Sequence, residues 1–232
     1  MGLEGLESTT PAAAVAVFGD RVRQAERYVE LLRRHGVERG LIGPREVDRL
    51  WDRHVLNSAV IGEEVPRDAR VIDVGSGAGL PGVPLALSRP DLAMVLLEPM
   101  ARRVDWLTEV AETLALAVDI ERGRAEEKRV RARLGLADVV IARAVAPLAR
   151  LAAWCLPLVR PGGRLVALKG ASAADEIERD RGAIRKAGGG EPTLTTCGED
   201  LLETPTTVVV IEREEPGKAG PSSRWRPGSR AR

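Results

Sequence analysis

Apolar and charged positions divide the chain into two regimes. Phe18, Val22, Ala25, Val29 and Leu32 recur at steps of four and three, while Arg21, Arg23, Glu26, Arg27, Glu30 and Arg33 fill the other faces. That spacing predicts an amphipathic helix ending near Gly36. Thr10-Pro11 reads as its cap followed by proline in the first helical position. A second helix is expected from Gly43-Pro44 to about Ser58, with Val47, Leu50, Trp51 and Val55 inward and Asp48, Asp52, Arg53 and His54 on the other sides. From Arg70 the rhythm changes to short β-branched runs alternating with helical periods. Strands are expected at Arg70–Val74, Ala93–Leu97, Ala117–Glu121, Ala137–Ile141, Arg164–Leu168, Thr193–Thr196 and Thr206–Ile211. Helices are expected at Pro81–Ser88, Ala101–Leu114, after Glu127, and at Leu148–Leu158 and Asp175–Lys186. Pro161-Gly-Gly163 reads as a turn and Gly188-Gly-Gly190 as a flexible break.

Strands alternating with helices predict an α/β fold, a Rossmann-like, mostly parallel seven-stranded sheet with helices on both faces. The expected organisation is a helical extension over residues 1–66, the sheet domain over 67–213 and a disordered basic tail over 214–232. The tail carries proline, glycine, serine and scattered arginine and is read as inert, the alternative being a basic arm with Trp225 available to stack on a base.

One stretch carries the candidate chemistry. Val71-Ile-Asp-Val-Gly-Ser-Gly-Ala-Gly-Leu-Pro-Gly82 is a strand, a glycine turn and a helix start. Glycine brings backbone close to a ligand and adopts φ > 0 without a Cβ clash, and a helix N-terminus offers unpaired N–H groups. Gly77 to Gly82 satisfies the dinucleotide pattern G-x-G-x-x-G. Asp73 ahead of the glycines and Glu98 closing the next strand give the look of an S-adenosylmethionine (SAM) site. A nicotinamide dinucleotide site uses its acid in the same way, so Glu98 does not separate the two. Asp73, Gly75, Gly77, Glu98, Arg124–Glu126 and Arg143 fall at the carboxyl ends of four strands and are expected to line one crevice.

Composition narrows the setting. The 232 residues carry a net charge of +1, so any nucleic-acid surface must be local. Cys155, Cys197, His35 and His54 offer neither a disulfide framework nor zinc spacing, and two free thiols fit a reducing compartment, hence an expected cytoplasmic location. The run Ala12–Phe18 is too short to span a bilayer and wrongly flanked for a signal peptide. His54 could contact substrate, but with no partner motif it is expected to be structural, as are Trp51, Trp106 and Trp154, which sit at helical apolar spacing.

Arg53-His-Val-Leu-Asn-Ser58, Asp73 to Leu85 with its Gly-Leu-Pro-Gly extension, Leu97-Glu-Pro-Met-Ala-Arg-Arg-Val104, Ile141-Ala-Arg-Ala144 and Ala167-Leu-Lys-Gly170 occur in that order. Together they resemble the small-subunit ribosomal RNA methyltransferase G family, also called glucose-inhibited division protein B, over about residues 44 to 211. The resemblance implies a class I SAM-dependent methyltransferase acting on N7 of a guanine in 16S rRNA, without metal and as a monomer. By position it implies that Gly75 and Leu80 line the SAM pocket, that Ala125 and Glu126 flank its adenine, and that Arg143 lies beside the donor methyl. Arg124 and Lys169 also occupy motif positions, and Arg143 and Lys169 are the expected positioning residues of catalysis. One departure stands out: the family often has a basic residue just before the final strand, where this chain has Pro205-Thr206-Thr207.

The chemistry agrees with the residues. Guanine N7 is an unprotonated lone pair and the SAM methyl is already electrophilic, so no general base is needed. In-line positioning can supply ~7–11 kcal/mol of barrier lowering. A donor on N7 would block the attacking lone pair, so Arg143 is expected to hold O6, a phosphate or the SAM carboxylate. Asp73 and Glu126 are candidates to face the cationic product. The rival readings are a methyltransferase for a small molecule or protein, an NAD(P)-dependent oxidoreductase, and a silent RNA-binding module.

Overall fold

The computed structural model describes residues 10–143 and 146–215; the tail beyond Glu215 and Ala144 of the fourth motif lie outside them. Seven strands make one sheet: β1 (Arg70–Val74), β2 (Ala93–Glu98), β3 (Asp119–Arg122), β4 (Ala137–Arg143), β5 (Val159–Leu168), β6 (Thr193–Cys197) and β7 (Thr206–Glu212). Their order is β3-β2-β1-β4-β5-β7-β6. β1 to β5 pair in parallel, and β7 runs antiparallel to β5 and β6.

The two-residue period of the strands divides their side chains between two cores. Val71, Met94, Leu96, Val139, Ile141, Val166 and Val208 enter one core with α1 (Ala12–Phe18), α2 (Val22–His35), α4 (Gly82–Ser88) and α5 (Ala101–Thr113). Ile72, Val95, Leu97, Val140, Leu165 and Val209 enter the other, with α6 (Lys128–Leu134), α7 (Leu148–Cys155) and α8 (Ala173–Lys186). The helical extension therefore shares a core with the sheet. Truncating fully buried Leu32 of α2 to alanine would cost about 2–5 kcal/mol of stability.

Several boundaries differ from expectation, each for a local reason. Thr10 does not cap α1; its hydroxyl donates to Glu26 Oε1 at 2.7 Å, and Pro11 takes the cap position. Gly19, at φ 49°, breaks the first helix into α1 and α2. The second helix is not regular α. It runs as a 3₁₀ segment (Pro44–Arg49), a π segment (Leu50–Leu56), one α turn, α3 (Asn57–Ala59), and a 3₁₀ segment (Val60–Glu64). The widened turn keeps Leu50, Trp51, Val55 and Leu56 buried together, and such turns concentrate at functional sites. Helix α4 begins at Gly82, one residue after Pro81, because the Gly82 N–H donates to Asp73 Oδ2 at 3.1 Å. Pro161-Gly-Gly163 lies inside β5 as an irregularity in its pairing with β4. Gly188–Gly190 is a close crossing: a Cβ on Gly189 would lie 2.8 Å from Ile184, Ile211 and Leu156.

Candidate active site

The glycine turn is tied down on every side. Gly75, Gly77 and Gly79 have φ of 77°, 56° and 102°, values that side-chain-bearing residues rarely adopt. Gly75 N–H and Ser76 N–H donate to Leu97 O at the end of β2. Glu98, buried beside it, accepts from Gly77 N–H through Oε2 at 3.0 Å and from Met100 N–H through Oε1 at 2.9 Å. Ala78 O accepts two buried donors, Tyr28 Oη at 3.0 Å and Trp106 Nε1 at 2.8 Å. The later glycines serve packing. A Cβ on Gly82 would lie 2.4 Å from Leu96 and 2.6 Å from Asp73, and one on Gly79 would lie 2.8 Å from Val83.

Three cavities open at the carboxyl edge of the parallel strands; one, about 420 Å³ and lined by Arg122, Arg129 and Arg133, lies beside the two that hold the site residues. The first of those two, about 180 Å³, is a mostly apolar slot lined by Val74, Gly75, Leu97, Pro99, Gly123, Arg124, Ala125, Glu126, Leu151 and Trp154. The second, about 1120 Å³, is wider and is lined by many charged and hydroxyl side chains, the carboxylates of Glu46, Asp175 and Glu176 among them. Its wall includes Arg53, His54, Asn57, Arg143, Lys169, Arg179 and Thr204–Thr207. Of the site residues read from the sequence, Gly75, Ala125 and Glu126 meet in the slot, and Arg143 and Lys169 meet in the wide cavity. Asp73 in β1, Gly77 and Glu98 at the end of β2 hold the glycine turn that follows β1. Leu80 lies in the core beside the N-terminal helices rather than on the slot wall.

Arg143 is held by a chain of side chains from the irregular helix. Its Nη1 donates to His54 Nδ1 at 3.0 Å, and His54 Nε2 meets Glu46 Oε2 at 2.8 Å. A guanidinium only donates, so Nδ1 accepts and the ring proton sits on Nε2, facing Glu46. Burial, and then the Arg143 charge, hold the His54 pKa below its ordinary value. The Glu46 carboxyl is lowered by its bond to His54. Lys169 is buried, and its ammonium donates to Ala146 O and Glu176 Oε2, both at 2.8 Å. Glu176 Oε2 also accepts Leu148 N–H, so Lys169 fastens the segment that starts α7.

Asp73 is fully buried. Its Oδ2 takes the Gly82 N–H, while Oδ1 has no hydrogen-bond partner among the described residues. Burial pushes its pKa up to about 7.

Two residues expected to be structural line the cavities. His54 lies in the π segment on the wall of the wide cavity, bonded to Arg143, a partner 89 residues away that no local pattern announces. Trp154 lines the slot, and here a signal existed. Leu148, Leu151, Ala152 and Cys155 form the buried stripe of α7, and position 154 falls beside that stripe, where Trp154 is only half-buried.

Residues 21–204 match the family described as GidB, rRNA small subunit methyltransferase G. The chain belongs to this family. It is 57% identical to the ribosomal RNA small subunit methyltransferase G of Corynebacterium efficiens over 211 residues, covering 90% of this chain and 91% of that one. It is 53% identical to the protein of the same name from Mycobacterium marinum, covering 93% of each. Among solved structures it resembles the S-adenosylmethionine-dependent methyltransferase SibL in its apo form (TM-score 0.57, 17% identity, 86% of this chain and 74% of that one). It also resembles a methyltransferase from Pyrococcus furiosus (TM-score 0.54, 10% identity, 85% of this chain and 100% of that one). The fold is thus the class I methyltransferase fold, and family membership removes the oxidoreductase reading. Among the described residues no group of three or more His, Cys, Asp or Glu could hold a metal ion, and no helix is long and apolar enough to cross a membrane.

Proposed function

We propose that this chain methylates N7 of a guanine in 16S rRNA of the small ribosomal subunit, using SAM, in the cytoplasm. Membership of the family over residues 21–204 carries this reading, and the division of the sheet edge into a narrow slot and a wide cavity supports it.

The residues fit SAM. The partnerless Asp73 Oδ1 suits an ammonium donor. Each Glu98 oxygen keeps a lone pair beyond its backbone bond, suited to sugar hydroxyls. The slot, below the volume of a whole-ligand pocket, suits one flat ring between Ala125-Glu126 and Trp154. In this reading Gly75, Gly77, Asp73, Glu98, Ala125 and Glu126 hold the cofactor. Leu80 supports the loop from the core. Bound SAM supplies a methyl group on a sulfonium.

Arg143, oriented by His54, places the guanine through O6 or a phosphate, or holds the SAM carboxylate, and leaves N7 unprotonated and unobstructed. Lys169 acts indirectly, by fastening the segment after β4. Arg53 and Arg179 offer donors to phosphates on the cavity wall, to which Pro205-Thr206-Thr207 adds no cation. The test is methyl transfer from labelled SAM to naked rRNA, intact small subunits and free metabolites. Label mapped to N7-methylguanine in 16S rRNA is expected. Label confined to metabolites or protein would overturn the proposal.

A further inference from the structure

The N-terminal helices look at first like a cover for one face of the sheet. Tyr28 shows a more specific arrangement. It lies on α2, fully buried, and its hydroxyl crosses to Ala78 O in the glycine turn, fifty residues away. Trp106 reaches the same oxygen from α5. A carbonyl oxygen has two lone pairs, and both are taken by rigid aromatic donors whose rings are fixed in the core. On the other side of Ala78, the Gly77 N–H is bound to Glu98. On its far side, a Cβ at Gly79 would meet Tyr28 Oη at 3.0 Å.

Three glycines of positive φ at alternate positions, Gly75, Gly77 and Gly79, leave a turn with many accessible backbone states. Ordering them costs free energy that must be met either when the protein folds or when the ligand binds. The two donors on Ala78 O place that cost at folding. Burial also raises the Tyr28 phenol far above its usual range, so it remains a donor at every working pH.

We propose that Tyr28 and Trp106 are positioning residues for the cofactor: together they clamp the glycine turn through Ala78 O in the conformation that receives SAM, and through Tyr28 the helical extension sets cofactor affinity. The proposal rests on the SAM reading above.

The arrangement predicts non-additivity. Removing one donor leaves Ala78 O with the other. Removing both leaves a buried acceptor unsatisfied, which is the more costly state. Calorimetry with SAM would be run on the wild-type chain, Tyr28→Phe, Trp106→Phe, the double variant and Leu32→Val. The last is a control in α2 whose side chain has no hydrogen-bonding group. Each single aromatic variant should raise the SAM Kd about three- to tenfold, and the double variant by more than the product of the two. KM for SAM should follow Kd, with kcat at saturating SAM within about twofold of wild type, as uniform binding requires. Amide exchange across Gly75–Leu80 should quicken in Tyr28→Phe. Leu32→Val should lower Tm with unchanged Kd.

Tyr28→Phe and Trp106→Phe binding SAM as wild type does, or losing affinity only in the ratio to Tm seen for Leu32→Val, would overturn the clamp while leaving the SAM reading intact. Should the double variant fail to fold, the single variants and the exchange measurement still decide. A wild-type chain that binds no SAM would overturn both.

Discussion

The slot and the wide cavity sit on the same sheet edge and are built in opposite ways. The slot and its loop come from the ends of β1, β2 and β3, with one wall from α7, and the backbone is their main working part. Glycine φ angles, peptide N–H groups and two buried carboxylates, Asp73 and Glu98, decide their shape. The wide cavity is assembled from side chains borrowed across the chain: Glu46, Arg53 and His54 from the irregular helix, Arg143 from β4, Lys169 after β5, Arg179 from α8 and Thr204–Thr207 before and at the start of β7. A backbone-built site tolerates little change and suits an invariant ligand. A side-chain-built site can vary in donors and suits a large, irregular polymer. The departure at Pro205-Thr206-Thr207 falls in the second kind of site.

The comparison breaks most visibly at Glu98. Replacing it with alanine removes a charged acceptor from two backbone N–H groups, and SAM affinity measured by calorimetry should fall about a hundredfold. A fall below about threefold would show that the backbone alone shapes the loop. Arg143→Ala should separate the two sites. Turnover on small subunits should drop about ten- to a hundredfold, with SAM affinity within about threefold of wild type. Unchanged turnover would reject a role for Arg143, and equal losses in affinity and turnover would assign it to the SAM carboxylate.

Asp73 and His54 sharpen the contrast, because their contributions to stability depend on pH in opposite senses while affinity and turnover both improve as pH rises. The Asp73 pKa is raised from 3.8 to about 7. Its protonated form stabilises the free protein below pH 3.8, and that contribution is lost as pH rises through about 7. An ammonium ligand prefers the ionised form. SAM affinity should therefore rise about tenfold between pH 6 and 7.5, and Asp73→Asn should flatten the rise. His54 is a base with its pKa lowered from 6.5. Its contribution to stability is present above pH 6.5 and is lost as pH falls through the folded value. Protonation also puts a proton on the nitrogen that accepts from Arg143. Turnover should fall several-fold as pH drops below 6.5, and His54→Gln should remove that pH dependence. The smallest effect is expected from Trp154→Leu, which keeps an apolar side chain but removes the aromatic face. SAM affinity should weaken about two- to fivefold, and no change would take Trp154 out of the slot.

Which parts were legible follows the same division. The strands of the sheet were legible because a residue pair every two positions, buried on both faces, leaves a near-continuous apolar run between turn residues. Gly75 was legible because it directly follows β1, and Ala125 and Glu126 because they lie in the segment after β3 and match family-motif positions. The place of His54 was not, since its partner Arg143 lies 89 residues away and the π segment that carries it depends on Leu50, Trp51, Val55 and Leu56 being packed against distant parts of the core. Lys169 was visible as a residue at a strand end, but its partners, Ala146 O and Glu176 Oε2, lie 23 residues before it and 7 after it.

Local sequence alone determined the order of strands and helices, the glycine turn and the acids beside it, because these rest on periodicity and on the φ angles that only glycine adopts easily. Tertiary packing decided which of those groups meet. It brought Tyr28 and Trp106 to one carbonyl oxygen, His54 to Arg143, and Gly82 against Asp73. The reason is physical: a hydrogen bond between buried groups far apart in sequence exists only after the core that excludes water from both has formed.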